Sequence, residues 1–344
     1  MGLGLSMPPA IDFWAGFGKL AKFPTMDRLY LSVDLGGTSL RIALMNASGD
    51  ILELRRSSSD LVRESEDLIK VLQKEVRSFL THHPEVAGLA LGIPGLVDGE
   101  KGIVFESPHF PLWKEFPLRA RLKKHFTFPI LMDNDANQAA LGEGWLGAGQ
   151  GESDFILLTL GTGVGGGIFS AGKIFRGAKG LAGEIGHMVI ERQGPVGAIG
   201  IRGTLESFAS QSGLRLRLQD LKKNWPQLSD DLLKLDEKSP DLPAALSRLA
   251  LAGDPSARKL WSDFGRALAC GIGSLTHAFG NLFFILGGGL SGAWDLFFPT
   301  LKDELEQRLY PYLRNQVKVV PAQLGDKAGL IGGVRALLNL ESKA

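Results

Sequence analysis

Four polar residues lie close together where an apolar run, residues 128–132, meets a helical pattern. They are Asp133, Asn134, Asp135 and Asn137. One of them is expected to cap the helix, because a side-chain oxygen there accepts a free backbone N–H. Four are more than a cap requires. A carboxylate at this position can also accept the proton of an attacking hydroxyl, a general-base role worth about 10²- to 10⁴-fold in rate.

A second group of ionisable residues consists of Glu184, His187 and Glu206. Glu184 and His187 are three residues apart, so in a helical turn they would share a face. Carboxylate oxygens accept hydrogen bonds from hydroxyl groups, and two glutamates with a histidine suit recognition of a polyol. The alternative is a surface or capping role, since charged residues are mostly exposed.

Two glycine-rich turns, about 125 residues apart, each join two apolar runs. Each pattern predicts a strand, a tight turn and a returning strand. Glycine lets the backbone approach a ligand closely, and adjacent turn amides that point the same way bind anions. The repeat predicts a duplicated domain that holds a polyphosphate between its halves. Taken singly, each turn could be an ordinary hairpin.

The candidate phosphate ligands lie in these turns. Asp34, at a strand end, suits Mg²⁺ and its bound waters. The other candidates are Gly36, Gly37 and Thr38 in the first turn, and Gly161, Thr162, Gly163 and Gly165 in the second. The second turn also fits the G-x-G-x-x-G pattern, but a predicted strand follows where a dinucleotide fold needs a helix. Because the sequence also lacks a Gly-Lys-Ser/Thr motif, P-loop chemistry is not expected.

A third glycine run spans residues 287–292, between a predicted strand and a predicted helix. Backbone at Gly288 and Gly289 could come close to a base or a ribose. A turn that simply starts the helix is the alternative.

The elements that must position these residues alternate between strand and helix. Apolar runs near residues 31–45, 86–97 and 128–132 predict strands, and residues 60–83 show helical periodicity. The second half restarts with a strand pair at 156–169 and continues with largely helical patterns. This alternation is typical of an α/β fold.

Composition argues against several classes of partner and location. The 344 residues carry a net charge of +1, which gives no electrostatic case for nucleic acid or a membrane surface as partner. No apolar run reaches the ~18 residues that a membrane span needs. The single cysteine, Cys270, cannot form an internal disulfide, which fits a reducing compartment such as the cytoplasm. Residues 1–27 are expected to be an N-terminal extension, or Met26 is the true start; a signal peptide is not expected.

Six motifs, taken in order, resemble those of the ROK family of repressors and sugar kinases, within the actin-like ATPase superfamily. They are Asp-x-Gly-Gly-Thr at 34–38, Gly-Ile-Pro-Gly-Leu-Val-Asp at 92–98, Asn-Asp-Ala-Asn-x-Ala-Ala-x-Gly-Glu at 134–143, Leu-Gly-Thr-Gly-Val-Gly-Gly-Gly at 160–167, Ala-Gly-Glu-Ile-Gly-His at 182–187 and Gly-x-Leu-Glu at 203–206. The resemblance implies a two-lobed actin-like ATPase (ribonuclease H-like) fold with duplicated α/β domains around a cleft. It implies a small domain of residues 28–136 plus 327–344 and a large domain of residues 137–326.

The same resemblance implies roles for the candidate residues. Asp135 would be the base that activates a sugar hydroxyl. The sugar would be held by Pro94, Gly95, Asn134, Asp135, Glu184, His187 and Glu206. Both glycine turns would bind the phosphates of ATP with Mg²⁺, for which Asp34 is a candidate ligand, and Gly288 and Gly289 would contact the adenosine. A homodimer is the expected assembly.

Two positions depart from the family pattern. Many members hold zinc with a histidine and three cysteines, but the cysteine positions are Gly197, Ile199 and Thr204 in this sequence. One histidine cannot hold zinc tetrahedrally, so no structural zinc is predicted. Packing around Ile199 and Ile201 is expected to position Glu206 instead. The second departure is Ser39, where many members have lysine; whether Arg41 replaces that charge stays open.

The leading functional prediction is an ATP-dependent hexose kinase of the glucokinase type, acting on the 6-hydroxyl of glucose or a related hexose. Fructose, mannose, N-acetylglucosamine and N-acetylmannosamine are alternative substrates that the motifs do not separate. A sugar-responsive repressor is disfavoured, because only about 27 residues with no helix-turn-helix pattern precede the first hairpin. A non-catalytic sugar-binding protein is disfavoured by the presence of Asp135 and both phosphate turns.

Overall fold

The computed structural model describes residues 28–36, 39–58, 65–108, 110–224 and 228–342. The predictions for residues 1–27, Gly37 and Thr38 lie outside this set. The strands are β1 (Leu29–Leu35), β2 (Ser39–Asn46), β3 (Ile51–Ser58), β4 (Leu89–Ile93), β5 (Leu96–Asp98), β6 (Ile103–Glu106), β7 (Ile130–Asn134), β8 (Phe155–Leu160), β9 (Val164–Ser170), β10 (Lys173–Ile174), β11 (Phe283–Gly287) and β12 (Lys318–Pro321). The helices are α1 (Ser65–His82), α2 (Leu118–Leu122), α3 (Asp135–Leu146), α4 (Gln211–Asn224), α5 (Asp230–Leu233), α6 (Leu242–Leu251), α7 (Pro255–Phe279), α8 (Trp294–Arg308) and α9 (Ala328–Glu341).

Two five-stranded sheets repeat one arrangement. The first has the order β3-β2-β1-β4-β7 and the second the order β10-β9-β8-β11-β12. In each, an antiparallel hairpin (β1–β2 or β8–β9) is followed by parallel strands. The central strands are almost continuously apolar and buried, as expected where helices cover a parallel sheet. The duplicated α/β halves predicted from the two glycine hairpins are therefore confirmed.

Helix α3 lies between the two sheets. It directly follows β7 of the first sheet, and Gly167 of β9 in the second sheet lies against its residues Ala136 and Ala140. Because the first residue of α3 is Asp135, this packing places that carboxylate between the two halves of the chain.

Helix α9 packs against the first sheet and crosses α3. Leu330, Val334 and Leu337 share an apolar cluster with residues of β1 and β4. At the crossing, a Cβ on Gly332 would overlap the Gln138 carbonyl of α3. The two backbones can touch there only because glycine has no side chain. The domain limits expected from the sequence stay a prediction.

The described residues form no helix of the length and apolar character that a bilayer crossing requires.

Candidate active site

Two cavities meet in the cleft between the sheets. One, of about 570 Å³, is lined by all the residues expected to hold a sugar: Pro94, Gly95, Asn134, Asp135, Glu184, His187 and Glu206. The second-hairpin residues Gly161, Thr162, Gly163 and Gly165 line it as well. The other, of about 500 Å³, is lined by Asp34, Gly288 and Gly289. Asp135, Thr159 and Gly288 belong to both walls, so a group bound in one cavity can reach a group bound in the other.

Among the candidate ligands that the structure describes, Gly36 lines neither cavity. Gly36 lies in the turn that joins β1 to β2, where its N–H donates to the Ser39 carbonyl at 2.7 Å. It shapes the first hairpin next to Asp34.

The polar residues at the start of α3 have different structural roles. Asn134 is the helix cap, since its Oδ1 accepts the N–H groups of Ala136 at 2.8 Å and Asn137 at 3.3 Å. Its Nδ2 donates to the Gly95 carbonyl at 3.1 Å, which ties the cap to the loop after β4. The expectation that one member caps the helix is thus confirmed, and Asp135 is left facing the cleft.

Asp133 is held by Arg176 and Asn137, and it lines neither of the two cavities. Arg176 donates from Nε at 2.9 Å and from Nη2 at 2.6 Å to its Oδ2, and Asn137 donates to its Oδ1 at 3.0 Å. Sequence reasoning gave Arg176 no role. The contact joins residues 43 positions apart, so no local pattern could have revealed it.

Burial in the cleft, together with the nearby charges of Asp34 and Glu184, raises the pKa of Asp135 to about 7. The backbone N–H of Ala136 acts in the opposite direction, donating to Asp135 Oδ1 at 2.9 Å. A base with a pKa near the working pH is well suited to take a proton and then return it.

This pKa predicts an acid limb in the rate profile. A base works only when deprotonated, so kcat/KM for the acceptor should be constant well above pH 7 and fall about tenfold per pH unit below it. Initial rates between about pH 5.5 and 8.5, with saturating nucleotide, measure this. An unchanged kcat/KM down to about pH 5.5 would contradict the general-base assignment.

Glu184, His187 and Glu206 come together on one wall. A short 3₁₀ turn, Ile185–His187, sets the Glu184 Oε2 to His187 Nε2 distance at 3.7 Å. Burial raises the pKa of the Glu184 carboxyl, while His187 lowers it. The ring Nδ1 of His187 is buried and has no hydrogen-bond partner among the described residues.

Glu206 is fixed against the second glycine hairpin. Its Oε2 accepts the N–H of Val164 at 3.0 Å, and its own N–H donates to the Gly186 carbonyl at 2.8 Å. A Cβ at Gly163 would overlap this carboxylate. The hairpin and the wall of acidic residues are therefore parts of one site.

The expectation that Ile199 and Ile201 pack to position Glu206 is wrong. Both side chains are exposed, at 52% and 40%. Backbone hydrogen bonds hold the loop of residues 194–204 instead. The Gly197 N–H donates to the Ile201 carbonyl at 2.8 Å, and the Gly203 N–H donates to the Pro195 carbonyl at 2.8 Å. The direction of a side chain in an irregular loop depends on these bonds, and the sequence alone does not show them.

The residues of this loop do not fit a zinc ion. Gly197 and Ile199 carry no metal-binding atom, and the Thr204 hydroxyl is paired with that of Ser207 at 2.6 Å. Zinc needs thiolate, imidazole or carboxylate ligands, usually four of them.

Asp34 lies in the wall of the second cavity beside Arg41. Burial raises the pKa of the Asp34 carboxyl, and Arg41 lowers it. A carboxylate at a cavity wall fits Mg²⁺, which binds proteins through one or two carboxylates and takes its other ligands from phosphate and water.

Glu143 ends the sequence motif at 134–143, and the sequence predicted no role for it. It is fully buried in α3, and its carboxylate accepts the N–H groups of Ala148 at 2.8 Å, Gln323 at 3.2 Å and Leu324 at 2.8 Å. The segment after β12 also lines the second cavity at Ala322, so Glu143 supports that wall. A charged residue in an otherwise apolar helix pattern was the available signal.

This chain is similar to known proteins. The model of the ROK family matches residues 30–339. A glucokinase from Thermotoga maritima is 33% identical over 304 residues, which cover 88% of this chain and 95% of that protein. A xylose repressor from Caldicellulosiruptor bescii is 28% identical over 313 residues, which cover 90% of this chain and 78% of the repressor. The crystal structure of a ROK family glucokinase from Streptomyces griseus, in complex with glucose and AMPPNP, is similar with a TM-score of 0.76 and 31% identity, over 90% of this chain and 98% of that one.

The duplicated sheets and the cleft between them define a two-lobed α/β protein of the actin-like ATPase fold. Within that class, this chain belongs to the ROK family.

Proposed function

We propose that this protein is an ATP-dependent hexose kinase of the glucokinase type, which transfers the γ-phosphoryl group to the 6-hydroxyl of glucose or a related hexose. The observation that carries the proposal is the position of Asp135 in the wall shared by the two cavities. A hydroxyl bound on one side and a phosphoryl group on the other would both be within reach of this carboxylate.

The acceptor cavity supplies the groups that would orient a sugar. Glu184 and Glu206 offer carboxylate oxygens to hydroxyl groups, and Asn134 and His187 offer further polar atoms. Asp135 would accept the proton of the attacking hydroxyl. The hydroxyl oxygen would then bond to the γ-phosphorus, while the bond from that phosphorus to the leaving oxygen of ADP breaks. Holding the two reactants in line removes most of the entropic barrier of a reaction between two molecules.

The second cavity and the glycine hairpins would bind ATP. The N–H of Gly161 donates to the Gly163 carbonyl at 3.0 Å and that of Val164 to Glu206, so other amides of this turn would meet the phosphate oxygens. The turn at Gly288 and Gly289 would contact the adenosine. Asp34 would hold the Mg²⁺ ion that accompanies ATP, and the ion would offset phosphate charge. Phosphoryl transfer depends mainly on positioning and charge neutralisation, which these groups provide.

Two relatives support the proposal: the glucokinase of Thermotoga maritima and the Streptomyces griseus enzyme bound to glucose and AMPPNP. We further propose that the protein works in the cytoplasm, where ATP is available, and that it forms a homodimer. Light scattering coupled to size-exclusion chromatography tests the assembly.

A coupled assay of ADP release over a panel of sugars tests the function. We expect glucose to give the highest kcat/KM among glucose, mannose, fructose, N-acetylglucosamine and N-acetylmannosamine. Phosphate at the 6-position is identified by NMR of the product. Preference for fructose or an N-acetylhexosamine would replace the substrate assignment, and no ADP release with any sugar would overturn the kinase assignment.

A further inference from the structure

Arg176 connects two elements of the acceptor site that belong to different halves of the chain. It lies two residues after β10 of the second sheet, whereas its partner Asp133 belongs to β7 of the first sheet. Its Nε and Nη2 donate to the same oxygen, Asp133 Oδ2, at 2.9 and 2.6 Å. The ion pair therefore crosses between the halves beside the start of α3.

The Asp133 carboxylate in turn holds the first turn of α3. Its Oδ1 accepts the backbone N–H of Asn134 at 2.9 Å and the side-chain Nδ2 of Asn137 at 3.0 Å. Asp135 lies between these two residues, so the backbone that carries its carboxylate is fixed on both sides. Asp133 is 8% exposed, and the loss of a cationic partner from a buried charge is costly. Without Arg176, this turn would have to rearrange.

The backbone of Arg176 holds the loop that carries Glu184. Its carbonyl accepts the N–H of Ala182 at 3.0 Å, which closes the loop two residues before Glu184. A Cβ on Gly183 would lie 3.8 Å from Asn137 Oδ1, so this loop also passes close to the first turn of α3. The place of Glu184 in the cleft therefore depends on where Arg176 is held.

We propose that Arg176 is a positioning residue that holds Asp135 and Glu184 in a fixed relation to one bound sugar. This inference rests on the proposed function and adds to it a residue that lines neither cavity. The guanidinium fixes the turn with the base, and the carbonyl fixes the loop with the sugar ligand. Both groups must meet the same hexose, and a displacement of about 1 Å can cost roughly 100-fold in rate.

The side-chain type matters for this task. A guanidinium is planar and presents its N–H donors from fixed positions, whereas a lysine ammonium is a point charge on a flexible stem. Arg176→Lys would therefore neutralise Asp133 without fixing its orientation. Lys173 is a matched control, since it is an exposed cation of β10, three residues before Arg176, and lines neither cavity.

Steady-state kinetics with glucose and ATP test the inference on Arg176→Met, Arg176→Lys and Lys173→Met. For Arg176→Met we expect kcat/KM for glucose to fall roughly 10- to 100-fold, while the KM for ATP stays within about twofold. Arg176→Lys should recover part of the loss, and Lys173→Met should match the unchanged protein. The double variant Arg176→Met/Asp133→Asn should be no slower than Arg176→Met, because it removes the unpaired charge and because contacting residues are not additive.

Hydrogen exchange gives a second measurement that does not depend on activity. The amides of Ala182 and Asn134 donate to Arg176 and Asp133, so both should exchange faster in Arg176→Met than in Lys173→Met. Exchange at the same rate in both variants would overturn the inference.

Two kinetic results would overturn it as well. One is an unchanged kcat/KM for glucose in Arg176→Met; the other is an equal loss for glucose and ATP, which would mean a general loss of structure. Arg176→Lys gives the same comparison if Arg176→Met does not fold. If the unchanged protein phosphorylates no sugar, the kinase proposal fails, and hydrogen exchange still decides whether Arg176 couples the two elements.

Discussion

Asp135→Asn should lower kcat by roughly 10²- to 10⁴-fold, the range for removal of a general base. The amide keeps the size of the side chain and can still accept the Ala136 N–H, so the start of α3 should be retained. It cannot take a proton from the sugar hydroxyl. Initial rates at pH 8, where the native carboxylate is ionised, give the comparison, and the acid limb near pH 7 should vanish from the residual rate.

Binding measurements separate a chemical loss from a folding loss. Glucose affinity, followed by calorimetry, should change much less in Asp135→Asn than kcat does. Asp303→Asn, an exposed aspartate on α8, is the matched control and should be fully active. Near-native turnover in Asp135→Asn would show that another group takes the proton.

Glu143→Ala should destabilise the protein by about 3 kcal/mol or more. The backbone N–H groups of Ala148, Gln323 and Leu324 lose their acceptor. Ala148 and Leu324 are half-buried and Gln323 is exposed, and an unpaired N–H group costs about 1–3 kcal/mol when it is fully buried. Water that enters the vacated space would recover part of this cost, so the lower end of the sum is expected. Denaturant unfolding followed by circular dichroism measures the change.

Glu152→Ala, at an exposed glutamate shortly after α3, should leave the stability unchanged. Glu143→Gln keeps one acceptor oxygen and should lose less than Glu143→Ala. Because Glu143 supports the segment beside Ala322, nucleotide affinity should also fall in Glu143→Ala. Native stability in Glu143→Ala would mean that solvent pairs these N–H groups at little cost.

Local features of the site were predictable from sequence. A glycine turn between two apolar runs forms a hairpin because its conformational demands involve only neighbouring residues. The cap at the start of α3 is equally local, since Asn134 accepts N–H groups two and three residues ahead. Asp34 and Arg41 also lie opposite each other because the short turn of the first hairpin sets the pairing of β1 with β2.

Contacts between distant residues were not predictable in this way. The Glu143 carboxylate holds backbone about 180 residues further along the chain, and Arg176 holds Asp133 from the other half. The failed prediction for Ile199 and Ile201 has the same origin. It assumed that apolar side chains turn inward, whereas the backbone bonds of the loop turn these two outward.

Local periodicity and turn chemistry were therefore enough to predict the duplicated α/β halves, the two hairpins and the residue types of the site. Three features depend instead on how α3 and α9 pack against the sheets: Asp135 stands in the wall common to both cavities, Glu206 rests on the second hairpin, and Arg41 spans Asp34 and Asp326. This packing brings together groups that are far apart in the chain, and short-range sequence patterns carry no signal of such contacts.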